Sequence, residues 1–127
     1  MPDAKAGTYS KGRDSMRVAI PVAAGKLATH FGHCETFALL DVELEQRQLS
    51  GRQDVAAPPH EPGLLPRWLA DQGVEMIIAG GMGQRAQDLF LQSGITVYVG
   101  APAVEPELLM QHFMTGSLSL GANCCDH

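Results

Sequence analysis

Residues 75–100 read EMIIAGGMGQRAQDLFLQSGITVYVG, and their pattern sets the architecture of the chain. The short apolar run EMIIAGG predicts a buried strand. The next segment predicts a helix, because Ala86, Leu89 and Phe90 fall on one face and Gly94 is the common residue at a helix end. ITVYVG predicts a further strand. Strand, helix and strand in this order predict a right-handed crossover of parallel strands covered by helices.

The residues before this unit predict three strands in hairpin order and then a helix. Residues 17–22 alternate, with Val18, Ile20 and Val22 on one strand face. Residues 36–42 are apolar almost throughout, as in a strand covered on both faces, whereas 47–55 are polar and suit an edge strand. The following segment LLPRWLADQG predicts a helix whose apolar face carries Leu64, Leu65, Trp68 and Leu69.

A last helix is predicted in EPELLMQHFMTG, with Leu108, Leu109 and Phe113 on its apolar face. The predicted order is therefore strand, strand, strand, helix, strand, helix, strand, helix. We expect an α/β domain built on a mixed five-stranded sheet.

Composition and charge restrict the function classes. The 127 residues are the size of one domain. The formal net charge of −5 gives no overall electrostatic attraction to nucleic acid or to anionic membranes. No apolar run approaches the roughly 20 residues that span a bilayer, so we expect a cytoplasmic protein. Three cysteines, an odd number, leave metal binding, redox sensing or burial as their uses.

Three segments are predicted along the chain. Residues 1–15 lack apolar periodicity and predict a disordered leader, residues 16–120 a single domain, and residues 121–127 a tail bearing Cys and His. Because MRVAIPV resembles a natural protein start, we hypothesise that Met16 is an alternative initiation site; the intact mass of the native protein tests this.

The turn GMGQRA, residues 81–86, follows a strand and opens a helix, where unpaired amides favour an anion. A dinucleotide site would also need an acidic residue at the end of the next strand, and ITVYVGAP has none. A generic anion site and a purely structural tight turn both remain open. Arg85, in the first helical turn, would add positive charge there or simply be solvated.

The stretch HFGHC places His30, His33 and Cys34 within five residues. The spacing is not a standard zinc pattern, so ligand and structural roles stay open. Cys34 is alternatively a small core residue, or a nucleophile with a neighbouring histidine as base. His60 and His112 are expected to be surface or packing residues. A metal-dependent nuclease is excluded because Asp41 stands alone at its strand end.

The chain closes with GANCCDH, which supplies Cys124, Cys125 and His127. Soft sulfur and imidazole nitrogen ligands suit Cu(I), zinc or iron–sulfur species. Adjacent cysteines rarely hold one ion together, so such a tail would close a site with Cys34 or His30, or clamp the sulfide edge of a preformed cluster. The alternative is a chemically idle tail.

The segments MRVAIPV, THFGHCETFALLDVE, IIAGGMGQRAQDLFLQSGITVYVG and TGSLSLGANCCDH, in that order, resemble the dinitrogenase iron–molybdenum cofactor biosynthesis family. This resemblance, over residues 16–127, implies a ribonuclease H-like fold without nuclease carboxylates. It also implies binding of metal–sulfide clusters, since one branch of the family holds a molybdenum–copper sulfide cluster. Part of the family has a cysteine-bearing tail, which Cys124, Asp126 and His127 match.

The resemblance and the residues together assign a candidate site. The cofactor-binding set combines the histidine-bearing loop with the glycine turn: His30, Phe31, Gly80, Gly81, Met82, Gly83 and Arg85. The candidate metal ligands are His33, Cys34, Cys124, Cys125 and His127. Lys26, Arg85 and the turn amides would offset the negative charge of a cluster.

The leading hypothesis is a non-enzymatic carrier or store for a sulfide cluster of molybdenum or iron, with copper as a further component and zinc as the lesser alternative. The alternative is a redox-responsive interaction module that uses Cys124 and Cys125. Expected partners are the cluster or its precursor and a donor or acceptor protein. Nucleic acid and membrane are not expected partners, and the chain is expected to be a monomer or a weak homodimer.

Overall fold

The computed structural model describes residues 15–28, 35–43, 45–58 and 64–116. These residues form one mixed sheet with helices on both of its faces. The strands are β1 Ser15–Ala23, β2 Lys26–Leu27, β3 Thr36–Glu43, β4 Gln48–Ala56, β5 Met76–Ile78 and β6 Thr96–Tyr98, and the helices are α1 Leu64–Asp71, α2 Gln84–Gln92 and α3 Pro106–Met114.

The strands are ordered β4-β3-β1-β5-β6 across the sheet, and β2 pairs with β1. β3 is antiparallel to both of its neighbours, β1 and β4, whereas β5 and β6 run parallel to β1. The predicted mixed α/β architecture is confirmed. The predicted count of five strands is wrong, since the sheet has six; β2 has two residues and is too short to show any periodicity in the sequence.

The central strands are covered on both faces, as their apolar composition predicts. Val18, Ile20 and Val22 face the side covered by α3, whereas Ala19 faces the side covered by α1 and α2. β3 alternates in the same way, with Leu39 on the side of α1 and α2. β4 is the outermost strand and is mostly exposed, so its prediction as a polar edge strand is confirmed.

The apolar face of α3 differs by one residue from the prediction. Leu109 and Met110 are fully buried, but Leu108 is 39% exposed. The buried stripe of this short helix is set by Pro106, Leu109 and Met110, with Phe113 half-buried against Tyr98 at a ring-centroid distance of 6.2 Å. Leu108 therefore lies on the solvent side of the helix.

The two ends of the strands carry different turns and loops. We call the end at which the parallel strands β1, β5 and β6 finish the carboxyl edge, and the opposite end the amino edge. Because β3 is antiparallel to β1, it begins at the carboxyl edge, and the β3–β4 hairpin turns at the amino edge. α3 starts near the carboxyl edge, where Leu27 donates a backbone hydrogen bond to Val104, and runs back to the amino edge.

Candidate functional site

The glycine turn predicted as a site lies at the carboxyl edge, between β5 and α2. Backbone pairing continues past the strand ends: the Ala79 N–H donates to Tyr98 O at 2.8 Å and the Gly100 N–H donates to Gly80 O at 2.7 Å. The turn is thus held against the segment that follows β6. Gly80 and Gly81 are buried, so this part of the turn is a packed element of the sheet edge.

The second half of the turn is fixed by Gln87. Its side-chain Nε2 donates to Met82 O at 2.9 Å, and its backbone N–H donates to Gly83 O at 3.1 Å, which starts the hydrogen bonding of α2. Met82 is only 1% exposed and packs in the core on the side of α1 and α2. The side chain of Met82 therefore points away from solvent, whereas Gly83 and Arg85 are exposed.

The start of α2 is open to an anion. Gly83 is the N-cap residue, makes no side-chain capping bond, and is followed by a first turn without any acidic residue. The free amides and the positive end of the helix dipole favour negative charge at such a position. A Cβ atom at Gly83 would meet no described residue within 4 Å, so there is room for a side chain at this position. Exposed Arg85 adds a positive charge in the same turn.

The histidine-bearing loop begins and ends at the carboxyl edge. Ala28 donates its N–H to Pro21 O and Glu35 donates its N–H to Val22 O, both at 2.8 Å. His30, Phe31, His33 and Cys34 lie between these two anchors and outside the described residues. The structure thus brings the anchors of the loop and the glycine turn to the same edge.

The β1–β2 hairpin also turns at this edge. Ala24 and Gly25 both have positive φ, 55° and 81°, as a tight two-residue hairpin requires. The Ala24 N–H donates to the Glu35 side chain at 3.4 Å, and Lys26 is exposed next to the turn. Lys26 and Arg85 are therefore cationic side chains at the carboxyl edge.

The C-terminal ligand candidates are not placed. Cys124, Cys125 and His127 lie outside the described residues, which end at Gly116. Met114, at the end of α3, lines a cleft of about 380 Å³ with Arg47 and Leu49 of the β3–β4 hairpin. The described chain therefore ends at the amino edge, opposite the glycine turn.

Arg17 at the amino edge is a structural link that the sequence analysis missed. Its Nε and Nη2 donate to the two Asp41 carboxylate oxygens at 2.8 and 3.2 Å, and its Nη1 donates to Gln72 O at 2.7 Å. The hydrogen bond to Asp41 raises the pKa of Arg17. The sequence does show opposite charges on two predicted strands. It does not show the register of those strands, which places Arg17 directly opposite Asp41. Asp41 is therefore engaged in an ion pair with Arg17.

Among residues 15–28, 35–43, 45–58 and 64–116, no three His, Cys, Asp or Glu side chains are grouped so as to hold a metal ion. None of the helices in those ranges is long and apolar enough to cross a membrane.

Comparison with known proteins agrees with this architecture. The sequence profile described as dinitrogenase iron-molybdenum cofactor matches residues 14–116. The uncharacterized protein MJ0580 of Methanocaldococcus jannaschii is 33% identical over 88 residues, which are 65% of this chain and 73% of that protein.

Two solved structures share the fold. The crystal structure of PH0822 superposes with a TM-score of 0.77 at 29% identity, over 85% of this chain and 96% of that chain. The apo form of the orange protein from Desulfovibrio gigas superposes with a TM-score of 0.64 at 20% identity, over 85% of this chain and 94% of that chain. At that identity, the second likeness is one of fold alone.

Proposed function

Because this chain belongs to the dinitrogenase iron–molybdenum cofactor family, we propose that it binds and carries a metal–sulfide cluster of molybdenum or iron, or a precursor of one. Copper is a further candidate component, and zinc is the lesser alternative. The chain acts as a carrier or store and catalyses no reaction. The metal–sulfide species is its cargo.

One observation carries this proposal: the uncapped start of α2 at the carboxyl edge. Metal–sulfide species of this type are anionic, and the helix start offers amide donors, a favourable dipole and no competing acidic residue. Lys26 and Arg85 add positive charge at the same edge, on a chain whose formal net charge is −5. These positive features at one edge of an acidic protein favour an anionic ligand there.

The remaining ligand roles are part of the proposal. The amides at the start of α2, next to Gly83, and the exposed Arg85 hold the anion, and Gly80 and Gly81 shape the turn that presents them. His30, Phe31 and His33 approach the anion from the loop anchored at Ala28 and Glu35. Cys34, Cys124, Cys125 and His127 supply soft contacts to the metal or to its sulfide edge. Met82 contributes through its backbone, because its side chain is buried.

The cellular setting is proposed on the same basis. We class the sheet order as ribonuclease H-like, and we place the protein in the cytoplasm, where it exchanges its cargo with a donor or acceptor protein. Residues 16–120 form the cluster-binding domain, with residues 1–15 as a leader and residues 121–127 as the ligand-bearing tail. The family match over residues 14–116 falls mainly within the proposed domain.

The first experiment is anaerobic purification of the protein from its native host, followed by elemental analysis for Mo, Fe, Cu and Zn and a visible absorption spectrum. Stoichiometric molybdenum or iron with a sulfide charge-transfer band is the expected result. A colourless protein without metal, both as purified and after anaerobic reconstitution, would overturn the proposal. Reversible oxidation of Cys124 and Cys125 that altered partner affinity would then favour the redox interaction module.

A binding experiment locates the site. Trp68 is the single tryptophan of the chain, and its ring centroid lies 5.9 Å from that of Phe37, a residue of β3 near the carboxyl edge. Added tetrathiomolybdate, which absorbs in the near ultraviolet, is expected to quench the emission of Trp68 in a saturable way. Arg85→Glu should weaken this binding, whereas Arg67→Glu, the same charge change at an exposed position of α1, should not.

A further inference from the structure

β4 offers a free strand edge whose charges match those of a second copy of itself. This nine-residue strand is the outermost in the sheet and pairs only with β3 among the described residues. We propose that two copies of the chain associate through antiparallel pairing of β4 with β4, about a two-fold axis at Gln53. This interaction surface is distinct from the carboxyl edge.

The hydrogen-bond pattern determines which groups of β4 are available. The Ala57 N–H donates to Glu35 O of the strand next to it, at 3.2 Å. Because N–H and C=O groups alternate in direction along a strand, Gln53 and Val55 also direct theirs to β3. The backbone groups of Arg52, Asp54 and Ala56 therefore point away from the sheet, toward solvent.

The charges select one register. With the axis at Gln53, Arg52 of each copy lies opposite Asp54 of the other, and both residues direct their backbone groups across the interface. Moving the axis by one residue either way places Arg52 opposite Arg52 or Asp54 opposite Asp54, and like charges directly opposite are destabilising. Arg52 and Asp54 also disfavour pairing of β4 with strands that do not carry complementary charges at these positions.

Arg52 is already held in position for this contact. Its Nε and Nη2 donate to the Asp54 carboxylate of its own chain at 2.9 and 3.2 Å, and its Nη1 lies 3.6 Å from Glu107 of α3. The guanidinium is 29% exposed and Asp54 is 52% exposed. A guanidinium has five N–H donors, so Arg52 can donate to Asp54 of the second copy while it keeps its hydrogen bonds to Asp54 of its own chain.

A contact between single strands is small, and its ion pairs are open to solvent. We therefore expect a weak dimer that forms at high protein concentration and dissociates as salt is added. Its mass would be twice the 13.6 kDa of the chain.

The test is a charge exchange followed by sedimentation velocity of the full chain over a concentration series. Arg52→Glu alone and Asp54→Arg alone each create two like-charge contacts and should raise the dissociation constant about tenfold or more. The double variant Arg52→Glu/Asp54→Arg should regain dimerisation. A mixture of the two single variants should form a heterodimer, because every contact in it joins opposite charges.

Two controls separate association from folding. Arg67→Glu makes the same charge change away from β4 and should dimerise as the parent does, and circular dichroism should show all variants folded. A parent that stays monomeric at millimolar concentration would overturn the proposal. A dissociation constant that neither single substitution changes would also overturn it. So would single variants that remain monomeric when they are mixed.

Discussion

The proposed anion site makes a sharp prediction at Gly83, the N-cap residue of α2. Its φ of −65° and ψ of 158° suit any residue, and an added Cβ would meet nothing within 4 Å. Gly83→Asp and Gly83→Asn therefore place side chains of nearly the same shape at the helix start. Both can cap the free amides, but only the aspartate brings a negative charge.

The size of the effect follows from Coulomb's law. A carboxylate about 6 Å from a dianion repels it by roughly 1.4 kcal/mol in a water-like dielectric, which suits an exposed position. This repulsion corresponds to about a tenfold loss of affinity. Folding should not suffer, because Asp and Asn at an N-cap equal or exceed Gly by a few tenths of a kcal/mol.

The assay is anaerobic equilibrium dialysis of the parent and both variants against tetrathiomolybdate, with molybdenum measured on each side. The Asn variant measures the loss caused by the size of the side chain and by its capping of the amides. The Asp variant is expected to bind about tenfold more weakly than the Asn variant, with the difference shrinking as salt is added. Urea unfolding of the same samples checks that all three are equally folded.

Affinities of both variants that equal the affinity of the parent would refute the reasoning, because the anion would then not lie at the start of α2. Equal losses in both variants would mean that the side chain blocks the site by its size, and the electrostatic argument would fail.

Three further predictions concern stability, each read from the free energy of unfolding in urea. Ala24→Asn should raise it by about 0.5–1 kcal/mol, because Ala24 has a φ of 55° and Asn tolerates that region, whereas Ala24→Val should lower it; no gain from Asn would contradict the hairpin geometry. Arg17→Lys should lower the free energy of unfolding by about 1 kcal/mol, because the bidentate hydrogen bonding to Asp41 is lost. Arg67→Lys is the control and should leave it unchanged. Leu109→Ala should cost about 2–5 kcal/mol and Leu108→Ala less than about 1 kcal/mol; similar costs would contradict their placement.

Much of the fold was predictable because its patterns are local. The alternation of Val18, Ile20 and Val22 and the strand–helix–strand rhythm of residues 75–100 each report burial within one element. β2 escaped prediction because two residues have no period. Leu108 was misplaced because a short helix with apolar residues on several sides has no single face that its sequence identifies.

The candidate site was predictable only in part. The glycine turn is a local signal, and the structure places it at a helix start. The pairing of Arg17 with Asp41 depends on the register of two strands separated by a loop, and no local pattern encodes register. The buried side chain of Met82 also depends on packing, since its neighbours are all glycines that leave its direction open.

The direction of α3 sets a length requirement on the C-terminal thiols. Seven residues lie between Gly116 and Cys124, and the eight Cα–Cα steps that join them span at most about 26–29 Å when fully extended. The nine-residue strand β1 measures about 26 Å from one edge of the sheet to the other. If Cys124 meets the glycine turn of its own chain, the connecting residues must run almost straight along the domain.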